Sequence, residues 1–150
     1  MKIIELQTLN QQFEEAVYLY WREWGNEDNY PFYKDCMIHS LITKDSLPHF
    51  YIAQIDEKTI GTFALLRNDL NSRQDLYPWL ACLFIDPKHR GNALGSRLLT
   101  EATQLAADKG YKNLYLTSDL DGYYEKYGWF NSGLAYGSNG GSIKLYEKET

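Results

Sequence analysis

The residues of this chain best suited to chemistry lie in one run, Asp86-Pro-Lys-His-Arg-Gly-Asn-Ala-Leu-Gly-Ser96. Gly91, Ala93, Gly95 and Ser96 are small enough to let an anion reach the backbone, and Arg90 can add a forked, charge-assisted donor. Where such a run opens a helix, the first N–H groups have no internal partner and the helix dipole favours negative charge. The chemistry is phosphate binding. A second concentration is Tyr123-Tyr-Glu-Lys-Tyr127. A phenol is protonated at neutral pH, so Tyr123, Tyr124 and Tyr127 can each give a proton to a departing group. Cys36 and Cys82 are the only cysteines, too few for a disulfide framework or a zinc site. Cys82 lies inside an apolar run with no histidine near in sequence, which makes it a poor thiol nucleophile.

The elements that must position these groups follow from periodicity. Leu80 to Ile85 is an apolar run of strand length, begun at Trp79, and Asp86-Pro87 ends it. Leu94, Leu98, Leu99, Ala102, Leu105 and Ala106 recur at helical spacing, predicting a helix from about Ala93 to Lys109 that Gly110 stops. Lys112–Ser118 is the next strand. Its βαβ connection to the previous one predicts a parallel pair near 79–85 and 112–118 with a right-handed crossover. Asp121 is a candidate N-cap for a short helix over 122–127, ended by Gly128. Earlier, residues 2–7 suggest a strand, and Phe13, Val17, Tyr20, Trp21 and Trp24 a helix from about Asn10 to Trp24. A second helix fits Phe32–Ile42. Strands are expected at 50–56 and 59–67, joined through Glu57-Lys58, with a polar loop over 68–77. Two closing strands lie at 130–136 and 142–147. The fold class is α+β: a mixed, mostly antiparallel central sheet with one parallel pair, flanked by about four helices, in a single domain over 1–150.

The segment from Phe84 to Leu99, with Arg90-Gly91-Asn92-Ala93-Leu94-Gly95 at its centre, resembles the acyl-CoA signature Arg/Gln-x-x-Gly-x-Gly/Ala of the GNAT N-acetyltransferases. Ala93 stands where the family has its middle glycine. That change matters only if the position needs a positive φ. Tyr123-Tyr-Glu-Lys-Tyr-Gly-Trp129 resembles the family's late aromatic-Tyr-Glu-x-x-Gly-Phe/Trp motif, about 35 residues further on. The resemblance covers about Phe50 to Lys148 and implies that the parallel pair is splayed to hold acetyl-CoA. The pantetheine arm would run near Leu83, Phe84, Ile85 and Ser118, with backbone groups of Leu83 and Ile85 bonding the arm and the acetyl carbonyl. The pyrophosphate would sit on N–H groups of Arg90, Gly91, Asn92, Ala93, Leu94, Gly95 and Ser96. Tyr124, four residues before Gly128, matches the tyrosine that protonates the departing thiolate; Tyr127 lies beside the cofactor. The activity implied is acetyl transfer from acetyl-CoA, a cosubstrate, to a primary amine on a small molecule or peptide, with no metal and no covalent enzyme intermediate.

An attacking ammonium must lose a proton, yet the strand 79–85 carries no glutamate. Asp119, Asp69, Glu23 or water remain for that role. Glu23, Glu27, Asp28 and Asp69 are the acids available to hold a cationic amine, and Trp21, Trp24, Tyr30 and Tyr33 are either pocket or packing residues. His39 and His49 show no partner in sequence. The net charge of −5 with no basic block disfavours nucleic acid as a partner. No stretch approaches the roughly 20 apolar residues of a membrane span, and the N-terminus has no apolar signal core, so a cytoplasmic protein is expected. A homodimer stays open. The competing readings are a non-catalytic acyl-CoA sensor and a dinucleotide-dependent oxidoreductase. The latter is disfavoured because the glycines do not follow Gly-x-Gly-x-x-Gly.

Overall fold

The computed structural model describes residues 1–150. In chain order it holds β1 (Lys2–Glu5), α1 (Gln11–Trp24), α2 (Tyr30–Ser40), β2 (His49–Ile55), β3 (Lys58–Leu66), β4 (Trp79–Ile85), α3 (Leu94–Asp108), β5 (Asn113–Ser118), β6 (Phe130–Tyr136) and β7 (Ser142–Glu149). Single 3-10 turns lie at Pro87–His89 and Glu125–Tyr127. The strands form one sheet in the order β1-β2-β3-β4-β5-β7-β6. β4 and β5 are its parallel pair, in register at Trp79↔Tyr115. The mixed α+β class expected from the sequence is the one observed. No helix is long and apolar enough to cross a membrane.

The chain groups into two compact units, residues 1–64 with 82–95, and residues 65–81 with 96–150. In the first, α1 buries Phe13, Ala16, Val17 and Tyr20, the i, i+3, i+4, i+7 stripe of an amphipathic helix. Asn10 caps it by accepting the Phe13 N–H at 2.9 Å. The stop signal at Gly25 works differently from the usual left-handed C-cap. Gly25 has φ −90, and what it supplies is room, since a Cβ there would lie 2.7 Å from the Trp21 carbonyl oxygen. The β2–β3 hairpin turns on Asp56 and Glu57, at φ 50 and 63. Paired positive φ values match the twist of the strands they join. The turn is thus one residue earlier than Glu57-Lys58.

In the second unit α3 buries Leu98, Leu99, Ala102 and Ala106. It ends in a Schellman arrangement: Gly110 takes φ 88, its N–H donates to Ala107, and the Tyr111 N–H donates to Ala106. Trp79 is fully buried against Tyr115 and Leu145, and its indole N–H donates to the Leu76 carbonyl at 2.7 Å. The helix expected over 122–127 is corrected to the one 3-10 turn at Glu125–Tyr127. Gly122 and Gly128, at φ 75 and 82, close off helical continuation on either side. The α-helices therefore number three, not about four. Asp121 does not cap that turn; its carboxylate pairs with Lys144 at 2.5 Å.

Candidate functional site

The candidate residues fall into two groups, one in each unit. The first begins in the middle of β4, where Cys82 has φ +53. A left-handed non-glycine residue costs about 1 kcal/mol or more and persists only where its surroundings hold it. Thr62, fully buried on β3, donates its hydroxyl to the Cys82 carbonyl at 2.9 Å. Past this kink Cys82, Leu83 and Phe84 are only half-buried, and Ile85 is buried again. Cys82 does lie inside the strand that the apolar run predicts, but it is only half-buried there. Burial is continuous up to Ala81 and lapses at the kink.

The loop after β4 is fastened at its start. Asp86 donates its N–H to Ile60 at 2.7 Å and accepts the Lys88 N–H on its carboxylate at 2.8 Å. Arg90 donates Nε to the Ile85 carbonyl at 3.0 Å, and its guanidinium lies 6.0 Å from the centre of the Phe84 ring. The other side of that ring environment is Trp24, edge-on at 6.2 Å. The Phe84 side chain thus braces Arg90 while the guanidinium's two terminal nitrogens remain as donors. Gly91 and Ala93 take φ 86 and 57 on either side of Asn92. Backbone that alternates in hand turns successive N–H groups toward one concavity, an anion-binding nest. It leads into α3 at Leu94 and Gly95, the first positions of the helix. The substitution at Ala93 is thus the case that matters, because the position does take a positive φ.

The second group contains Ser118, Tyr124 and Tyr127, with Ser96 in the first turn of α3. Tyr124 is buried at 8 % exposure and packs against Tyr123, Trp129 and Tyr146. Burial pushes its phenol above the ordinary tyrosine range; the hydrogen bond from Ser118 works in the opposite direction, and the nearby Tyr123 and Tyr146 add a smaller upward push. Its carbonyl accepts the N–H groups of Tyr127 and Trp129 at 3.0 and 3.2 Å, which fixes the ring relative to the turn. Tyr127 is 38 % exposed, and its carbonyl accepts Lys148 Nζ at 2.8 Å. Of the three tyrosines that chemistry alone left open, Tyr124 is the buried one with a serine hydroxyl on its phenol.

The acids also separate. Glu23 is exposed and pairs with its neighbour Arg22 at 3.1 Å. Asp119 is exposed, and its backbone carbonyl accepts Lys144 at 3.2 Å. Asp69 is half-buried, and burial alone pushes its carboxyl up to about 6. The loop that carries it is locked by Asn68 and Asn71, each accepting a backbone N–H, from Asn71 and Arg73, at 2.9 and 3.0 Å. His39 and His49 do have partners, Asp35 at 3.4 Å and Glu5 at 2.8 Å. The Glu5 contact comes from the β1–β2 register, where Glu5 faces Tyr51, and no sequence rule would have paired them. Thr62 was missed altogether, since a threonine inside a strand carries no signal of its own.

A mixed sheet with one parallel pair, and a left-handed glycine loop feeding the N-terminus of the following helix, form the kind of site that suits a phosphate-bearing ligand. Comparison makes the assignment specific. Residues 11–129 match the profile of the acetyltransferase (GNAT) family, and the chain belongs to that family. It is 30 % identical over 106 residues to human N-acetyltransferase 8B, an alignment covering 65 % of this chain. The chain spans about half the length of that relative (47 %). Its fold is similar to that of an aminoglycoside 6'-N-acetyltransferase complexed with coenzyme A, with a TM-score of 0.69 at 18 % identity, covering 99 % of this chain and 97 % of the other. It is also similar to a GNAT family acetyltransferase from Elizabethkingia anophelis with acetyl-CoA bound, with a TM-score of 0.64 at 15 % identity and the same coverages of 99 % and 97 %.

Proposed function

We propose that the protein transfers the acetyl group of acetyl-CoA to a primary amine by direct attack in a ternary complex. The observation that carries this reading is the loop over 90–95, whose two positive-φ residues flank Asn92 and open onto a helix N-terminus. Coenzyme A and acetyl-CoA in structures of the same fold support it. The Arg90 N–H is already donated to the Pro87 carbonyl at 3.3 Å, so in this reading the N–H groups of Gly91 to Ser96 and the terminal nitrogens of Arg90 hold the pyrophosphate. Backbone groups of Leu83 and Ile85 hold the pantetheine arm and the acyl carbonyl. The Ile85 carbonyl already accepts Arg90, so its N–H is the group offered to the arm. Phe84, Ser118 and Tyr127 are assigned to the cosubstrate by the family resemblance alone.

The chemistry balances as follows. An ammonium acceptor gives a proton to a base, for which Asp69, Asp119, Glu23 and water are the candidates, and the freed nitrogen lone pair bonds the thioester carbonyl carbon. The tetrahedral intermediate collapses, the carbon–sulfur bond breaks, and coenzyme A leaves as a thiolate that takes the Tyr124 proton; the second proton on the nitrogen passes through water to the Tyr124 phenolate, which leaves a neutral amide. Burial keeps the Tyr124 phenol protonated, and among the candidate acids it singles out Asp69, lifted to about 6, as the one to test first. The acceptor is a small molecule or peptide bearing an amine, in a cytoplasmic setting.

The test is coenzyme A release from acetyl-CoA across spermidine, kanamycin, free amino acids and a dipeptide, with calorimetric titration of acetyl-CoA alongside. Turnover on one class is the expected result. Tight binding with no turnover on any amine would favour a sensor, a reading encouraged by the lack of a carboxylate on β4. Tyr124→Phe should lower kcat by about 10²-fold, the scale of a lost general acid, with acetyl-CoA affinity within about twofold. Asp69→Asn should abolish the acid limb of the kcat/KM profile near pH 6. A profile that keeps that limb excludes Asp69 as the base.

A further inference from the structure

We infer that Thr62 is a positioning residue: its hydroxyl, donated to the Cys82 carbonyl, aims the peptide group whose N–H, on Leu83, meets the acyl oxygen of acetyl-CoA. This rests on the reading above that Leu83 holds that oxygen. A peptide unit is planar and trans, so the Cys82 C=O and the Leu83 N–H point in opposite directions. Pinning the oxygen at 2.9 Å therefore sets the direction of the N–H. The pin is needed here because Cys82, at φ +53, is outside the strand geometry that would otherwise dictate it.

The Thr62 hydroxyl has one proton and two acceptors within reach, the Cys82 carbonyl at 2.9 Å and the Tyr20 phenol oxygen. Thr62 and Tyr20 are both fully buried, and the Tyr20 phenol, itself beside Thr62, donates to the carbonyls of Tyr51 and Phe63 at 2.8 and 2.5 Å. The Tyr20 proton is taken by those carbonyls, so the Thr62 proton is shared between the Tyr20 oxygen and the Cys82 carbonyl, and the 2.9 Å contact to Cys82 is the one that carries the positioning role. A carbonyl that accepts a hydrogen bond also polarises its own peptide group, strengthening the N–H at the other end by roughly 10–30 %. That N–H is worth most when negative charge builds on the acyl oxygen in the tetrahedral intermediate. Thr62 should therefore act on kcat and on the bound thioester carbonyl, with little effect on coenzyme A itself.

The experiment compares wild type, Thr62→Val, which keeps the shape without the hydroxyl, and Thr62→Ser, which keeps the hydroxyl. Infrared spectra of bound acetyl-CoA labelled with 13C at the acyl carbonyl should show a lowered stretch in wild type, a smaller lowering in Thr62→Val and recovery in Thr62→Ser. The kcat of Thr62→Val should fall about tenfold, a fraction of the 10²–10³ lost when an oxyanion donor is removed outright, while the Kd of coenzyme A stays within about twofold. The same pair of variants made in Cys82→Gly, which accepts a positive φ without strain, keeps the comparison open if Thr62→Val alone does not fold. A Thr62→Val protein with the wild-type stretch and kcat would overturn the role of Thr62 and leave that of Leu83 standing. A wild-type enzyme that turns over acetyl-CoA but shows no lowered stretch would overturn both.

Discussion

Ala93 carries a strain that one atom fewer would relieve. At φ +57 its Cβ costs about 1 kcal/mol relative to glycine, so Ala93→Gly should raise Tm by about 2–4 °C and leave acetyl-CoA affinity within about twofold. Thermal melts with and without the cosubstrate check both parts; an unchanged Tm would mean that alanine is not strained there. Asp69 makes a pH-dependent prediction. Its carboxyl titrates at about 6 in the folded chain against about 3.9 unfolded. The fold therefore favours the protonated form, and stability that is complete below about pH 4 is lost as pH rises through about 6. Asp69→Asn should then be more stable than wild type at pH 8 by up to about 3 kcal/mol and close to it at pH 4, as read by urea titration at the two pH values. At this scale the sequence was only partly informative. It marked Ala93 as a departure and Tyr124 as the matching phenol, but the dihedral at Ala93 and the burial of Asp69 depend on tertiary surroundings that no local pattern encodes.

Among the elements, the ends of α1 make the sharpest predictions. Asn10→Ala removes the acceptor of the Phe13 N–H and should cost about 1 kcal/mol. Gly25→Ala should cost about 1–3 kcal/mol, because the new Cβ would meet Trp21 backbone oxygen at 2.7 Å and the Trp21 ring at 2.4 Å. Chemical denaturation of both variants gives the ranking, and a neutral Gly25→Ala would show that the α1 end relaxes freely. Helices and strands were legible because burial imposes its period directly on composition, as with Phe13, Ala16, Val17 and Tyr20. The kink at Cys82 was not, since a continuous apolar run reads the same whether or not one residue turns left-handed. The 122–127 segment was misjudged as a helix because an N-cap candidate and a terminal glycine were both present. Asp121 had a better partner in Lys144.

For the molecule as a whole, a ligand that binds only the native state stabilises it by about 2.7 kcal/mol at 100 times its Kd. Saturating acetyl-CoA should raise Tm by about 5–10 °C; no shift would remove acetyl-CoA as the cosubstrate. The parallel pair was readable from the βαβ order, whereas the placing of β7 between β5 and β6 was not, because hairpin-linked strands can add to a sheet in either order.

β6 ends the sheet and leaves Phe130, Leu134 and Tyr136 exposed. An apolar strand with an open edge is a template for self-association. Two features blunt it. A register shift falls between Asn131 and Gly133, and Ser72 occupies the far end, its hydroxyl accepting the Tyr136 N–H at 2.9 Å and its N–H donating to the Tyr136 carbonyl at 2.8 Å. The loop that carries Asp69 therefore acts as a guard against aggregation, and lengthening or loosening it would carry a cost in solubility.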